Sequence, residues 1–287
     1  MLARRVVRGA GARLERAARA AAGSPWLAWH YARCVPPWLL ARRQLRDRIL
    51  TEDELRARRR GDTVFVFGSG ASLNAISAEE WEAIARHDTF GFNWFVLQDF
   101  VRCDFHLIRQ IADSNRRTVW EPQTREYFEA LSSSPHYRDA VLLVQHELRA
   151  RGVNLAFRLG VFPDTHPVFP FRTSRARLPA ERFDEGLVHG SSTLLDAVNA
   201  ASLIGWTSIV LVGVDLYDRR YFWLPEDETR ALDRLRGASA SDTHSQAATG
   251  LIETLGEWRT ALRTRGVELS VYNPESLLAR ELPVYAW

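Results

Sequence analysis

The chain has 287 residues, 46% hydrophobic and 25% charged, room for one large folded domain or two small ones. Two cysteines without CxxC or Cys/His spacing exclude a cysteine-based metal site and read as free thiols of a reducing cytoplasm. No run approaches the ~18 apolar residues of a spanning helix, and the formal net charge is only +3.

That charge is unevenly placed. All 38 basic residues are Arg, and residues 1–60 carry 15 of them against 5 acidic side chains, leaving the remaining chain at −7. Arg4, Arg5, Arg8, Arg16 and Arg19 recur at helical spacing among Ala, Val and Leu. The aromatic stretches Pro25-Trp26-Leu27-Ala28-Trp29-His30-Tyr31 and Val35-Pro36-Pro37-Trp38-Leu39-Leu40 follow. Guanidinium groups beside indoles suit an anionic bilayer surface, and a solvated helix or a tail would explain them too. The start lacks the apolar core of a signal peptide. Residues 1–61 therefore read as a basic arm, peripheral on the inner face of the membrane or cytoplasmic. Residues 62–287 read as the main domain, with the junction at Arg58-Arg59-Arg60-Gly61-Asp62.

The main domain opens on Thr63-Val64-Phe65-Val66-Phe67, a short run of β-formers expected as a buried strand. It enters Gly68-Ser69-Gly70-Ala71-Ser72, and Ser77-Ala78-Glu79-Glu80 then has capping-box spacing for a helix to about Arg86. Further strands are expected over 89–92, 104–108 and 140–145, with a Pro-bearing loop over about 160–186. A helix is expected from Ser191 to Ile204, stopped by Gly205, and a central strand from Ser208 into Gly213-Val214-Asp215. Residues 218–245 are polar with little periodicity and read as a lid. A helix from Gln246 to Arg265 and a strand from Val267 to Tyr272 close the chain. Strands alternating with helices predict a Rossmann-like α/β fold, a mostly parallel sheet covered on both faces.

Four places could carry chemistry. Gly68, Ser69, Gly70 and Ser72 form a Gly-x-Gly-x-Ser turn after a strand, where glycines let backbone approach a phosphate. Asn74 and Ala75 stand where a dinucleotide fingerprint has its third glycine, and no P-loop Lys is present, so a tight structural turn is an equal reading. Asp215 and Tyr217 follow the central strand, on the side where open α/β sheets bind ligands. Together with Tyr221 at the start of the lid, Tyr217 offers neutral donors for a phosphate that gains charge. His244, at the start of the last long helix, is placed to remain neutral and accept a proton, and His189 is its rival. Ser192 and Thr193 in Gly190-Ser191-Ser192-Thr193 could meet a phosphate or ribose, or merely cap the helix.

In order, these segments resemble the small bacterial sialyltransferases of glycosyltransferase family 42. The family's Gly-Asn-Gly-Pro-Ser-Leu is matched by Gly68-Ser69-Gly70-Ala71-Ser72-Leu73, and its Asn after the second strand by Asn93. Its Thr-Ser-Gly helix start, Gly-Ile-Asp-Phe-Tyr and His-Ser resemble Ser192-Thr193, Gly213 to Tyr217 and His244-Ser245. Its Pro-Asn-Ser-Leu-Leu-Ala tail resembles Asn273-Pro274-Glu275-Ser276-Leu277-Leu278-Ala279. The likeness spans about residues 62–280. Ser69 replaces the family's Asn, Ala71 its Pro, and Gly190 stands near the place of an Arg.

The resemblance implies a variant of the GT-A fold and inverting transfer of sialic acid, or a related acidic sugar, from a CMP-activated donor. No metal or cofactor is expected. Gly68, Gly70, Ser72 and Asn93 would hold the nucleotide, Tyr217 and Tyr221 would hydrogen-bond the departing phosphate, and His244 would deprotonate the acceptor. Asp215 would position the site. The acceptor would be a glycan or glycolipid hydroxyl, as in bacterial lipopolysaccharide or capsule assembly, and a homo-oligomer is compatible with the family. Two other readings stay open: an ATP- and magnesium-dependent pyrophosphokinase of the related pterin group, and an inactive nucleotide-binding membrane scaffold. A nucleic-acid partner is not expected, because the positive charge is confined to the arm without a binding motif.

Overall fold

The structure, a computed structural model, describes residues 45–109, 120–145, 151–190, 192–217, 220–224 and 249–287, with Trp29, Ala32, Val35, Pro36 and Leu39. Most of residues 1–44 of the expected arm, Cys34, most of the lid, and His244 lie outside the described residues. No described helix is long and apolar enough to cross a membrane.

Seven parallel strands form one sheet. In chain order they are β1 (Thr63–Phe67), β2 (Asp88–Phe92), β3 (Phe105–Ile108), β4 (Val141–Gln145) and β5 (Val168–Phe171), then β8 (Ser208–Val212) and β9 (Glu268–Val271). The short strands β6 (Thr173–Ser174) and β7 (Leu187–Val188) pair separately. Helices are α1 (Glu52–Arg56), α2 (Ala78–Ile84), α3 (Trp120–Ser133), α4 (Arg151–Leu159), α5 (Thr193–Ile204) and α6 (Leu251–Arg263). The spatial order β5-β4-β3-β2-β1-β8-β9 reverses direction at β1, which pairs with both β2 and β8.

Strand periodicity assigns the two faces. Val64 and Val66 of β1 join the apolar cluster that includes residues of α1, α5 and α6. Phe65 and Phe67 join the opposite cluster, with residues of α2, α3 and α4. Beyond Thr63 and Ser208 at their starts, the side chains of β1 and β8 are all buried between the two helical layers, which explains the continuous apolar runs. The capping box at Ser77 and Glu80 forms as expected and opens α2, which ends at Ile84.

The region 160–186, expected as loop, contains β5 and β6. Pro170 obscures β5 in the sequence, and it is tolerated because β5 is an edge strand of the seven-stranded sheet. Residues 45–61, which the charge count groups with the arm, also contribute to the folded body. Leu55 is fully buried in the core, and Ile49 bridges to Val168.

Candidate active site

Because the sheet is parallel, the turns that follow β1, β2, β3, β8 and β9 all emerge on one edge. The reversal between β1 and β8 opens the place where such sheets bind ligands.

At that point the glycine turn and the loop after β8 are laced together. Gly68 N donates to Val212 O at 2.8 Å and Gly70 N to Gly213 O at 2.8 Å. A Cβ on Gly68 would lie 2.5 Å from Gly213 O, and one on Gly70 would lie 2.8 Å from it while meeting the Asp215 carboxylate. The two glycines therefore serve the approach of one loop to the other. Ala71 N donates to Arg220 O (3.1 Å) and Ser72 N to Asp215 Oδ2 (3.1 Å). Through these bonds the amides of Gly68, Gly70, Ala71 and Ser72 tie the turn to the loop after β8. The turn is a scaffold for its neighbours.

Asp215 holds this scaffold. It is 3% exposed, and its Oδ1 accepts from Ser72 Oγ at 2.5 Å and from Asn273 Nδ2 at 3.1 Å. Asn273 Nδ2 also lies 3.3 Å from Tyr217 Oη. The loop after β9 is fastened independently, by Ser276 Oγ to Val214 O (2.6 Å) and Leu277 N to Asp215 O (3.1 Å). Between Asp215 and Tyr217, Leu216 takes φ +62 while its side chain stays buried in the core. A left-handed leucine costs on the order of 1–2 kcal/mol.

Other sequence-selected residues stand along the same edge. Asn93 follows β2 with φ +52. Tyr221 forms an isolated bridge with Gly70, and Phe222 N donates to Ser69 O at 3.2 Å, so the first part of the expected lid folds against the turn. Tyr221 stacks on Trp223, which is 6.3 Å from Trp94. Ser192 caps α5 through Leu194 N, and Thr193 is the first residue of that helix. The start of α5 reaches the edge beside β3: Arg109, the residue after β3, places its Nε 3.6 Å from Oδ2 of Asp196. The same oxygen is 2.6 Å from His189 Nδ1, a partly exposed imidazole against a fully buried carboxylate.

The sequence reading missed Asn273, Ser276, Arg109 and Asp196 as parts of this edge. Asn273 carried a usable signal, since it follows the last strand of a parallel sheet and so emerges where Asp215 does. Asp196 carried none, because an acidic residue in a first helical turn is common.

No family model matches the sequence, and no curated protein is significantly similar to it. Among solved structures, the chain is similar to the monofunctional alpha-2,3-sialyltransferase Cst-I from Campylobacter jejuni, with 13% identity, 83% of this chain and 82% of that one covered, and a TM-score of 0.45. It is also similar to the sialyltransferase CstII from Campylobacter jejuni in complex with a substrate analogue, CMP-3FNeuAc. There the identity is 14%, the coverage 78% and 86%, and the TM-score 0.46.

Proposed function

We propose that the chain is a glycosyltransferase that moves an acidic sugar, such as sialic acid, from a CMP-activated donor to a glycan or glycolipid hydroxyl. The observation that carries this reading is Tyr217 at the topological switch point, its phenol oxygen held by Asn273 while Asp215 locks the surrounding loops together. Neutral phenols suit a leaving phosphate, because they donate to charge as it develops without needing a proton supply. Asn93, Ser192 and Thr193 line the same edge as contacts for the nucleotide and sugar. The bond from the anomeric carbon to the phosphate oxygen breaks as the acceptor oxygen attacks from the opposite side. Tyr217 and Tyr221 stabilise the departing nucleoside monophosphate, and His244 takes the acceptor's proton. Asp215 acts as a positioning residue, since its oxygens accept from Ser72 and Asn273. A magnesium-dependent pyrophosphokinase would need carboxylates turned toward phosphates, and Asp215 is turned toward protein donors.

The test is thermal denaturation of the full chain with CMP, CDP, UDP, GDP or ATP, each with and without magnesium, followed by transfer from CMP-sialic acid in EDTA. CMP at a hundred times its dissociation constant should add about 2.7 kcal/mol of stability irrespective of metal. Stabilisation by ATP with magnesium alone would sink the proposal.

A further inference from the structure

We infer that Asn273 is a positioning residue that makes Tyr217 a hydrogen-bond donor toward the departing phosphate, an inference that rests on the transferase reading above. The orientation of the Asn273 amide is set locally: its Oδ1 accepts from Glu275 N at 2.9 Å, which leaves Nδ2 as the end facing the site. That nitrogen carries two hydrogens and has two oxygens in reach, Asp215 Oδ1 at 3.1 Å and Tyr217 Oη at 3.3 Å. The buried carboxylate of Asp215 is a strong acceptor, and a phenol bonded directly to it would donate to that oxygen. Asn273 stands between them and inverts the polarity. It satisfies the carboxylate with one N–H and presents the other to the phenol oxygen. Tyr217 then accepts from Asn273, and its own O–H is directed away from this amide. Bonds in such a chain polarise one another, so a phenol that accepts from an amide is the better donor.

Asn273 is separable from the fold of its loop. Ser276 Oγ to Val214 O and Leu277 N to Asp215 O fasten the loop without it, so its removal should change the phenol more than the backbone.

The experiment is a double-mutant cycle on the full chain, measuring CMP release and transfer from CMP-sialic acid. Asn273→Ala should lower kcat about tenfold, the loss of one net hydrogen bond expressed in the transition state, with KM for the donor within about twofold. Asn273→Asp, of nearly the same size, should lower kcat at least as far, because its carboxylate would accept the hydrogen bond of the phenol O–H. In the Tyr217→Phe background neither change should lower kcat further. Independent, multiplying losses, or a loss confined to KM, would overturn the role of Asn273 while leaving the transferase intact. A wild-type protein that releases no CMP would overturn the transferase reading and this inference with it. If Asn273→Ala proves unfolded, Asn273→Asp decides the question.

Discussion

Asp88 and Asp215 are both buried, and the ends of the sheet on which they stand separate their roles. Asp88 opens β2 at the amino edge, where its Oδ2 accepts from Arg60 N (2.9 Å) and Trp206 Nε1 (2.7 Å) and its Oδ1 pairs with Arg60 Nε at 3.2 Å. Its work is to anchor the chain entering β1. Asp215 stands at the carboxyl edge, and its partners are the loops that form the candidate site. Burial has a different consequence at His106, in the middle of β3. Enclosure pushes this imidazole down to about 3 from an ordinary value of 6.5, and its Nε2 lies 2.6 Å from Tyr127 Oη. Between those two values the unfolded chain takes up a proton that the folded chain does not. Stability is therefore whole above pH 6.5 and lost as pH falls toward 3, by about 1.4 kcal/mol per pH unit within the window. Burial lowers His166 too, adding loss of the same sign. Urea midpoints measured from pH 7 to 4 should show the slope, and His106→Gln should flatten it. An unchanged slope in that variant would remove His106 as the source.

Among the elements, α5 shows how far local sequence rules carry. Ser192 caps its start, and Gly205 ends it with φ +105, as a residue after a terminating helix should. A Cβ on Gly205 would stand 3.5 Å from Arg59 Cζ, an ordinary contact. Gly205→Ala should therefore cost only the left-handed backbone, about 1–2 kcal/mol, read from the denaturation midpoint at constant m-value. A loss beyond about 3 kcal/mol would mean that the packing against Arg59 matters as well. The edges of the sheet are less legible. At one, Leu50 N donates to Val168 O at 2.9 Å, and at the other Tyr285 N donates to Val271 O at 2.8 Å. Segments far from these strands in sequence thereby cover backbone groups that would otherwise invite pairing with another chain. Nothing in the composition around Ile49 or Val284 announces this, because bridges of single residues carry no periodicity.

For the molecule as a whole, charge and topology are separated along the chain. The first 60 residues bear a local +10 and the rest −7. The expectation that the basic, Trp-bearing arm is drawn to an anionic membrane, each Arg near the lipid contributing about 1 kcal/mol, is tested by flotation. Full-length protein should float with vesicles containing phosphatidylglycerol, come off with rising salt, and fail to float once residues 1–44 are removed. Flotation that ignores the anionic lipid or the arm would defeat this expectation.

The pattern of residues by itself determined the α/β class, the start of α2 and the stop of α5 at Gly205. These depend on periodicity, caps and breakers, all of which act within a few residues of chain. It also brought Gly68, Asp215 and Tyr217 under suspicion, because each stands just after a strand. What those glycines do was decided only in three dimensions. Their small size admits the loop after β8, and their amides are used up there. The partnership of Asp215 with Ser72 and Asn273 likewise joins loops 143 and 58 residues apart. No local rule reaches that far: the order of parallel strands brings these loops together, and only the assembled sheet reveals which side chains meet.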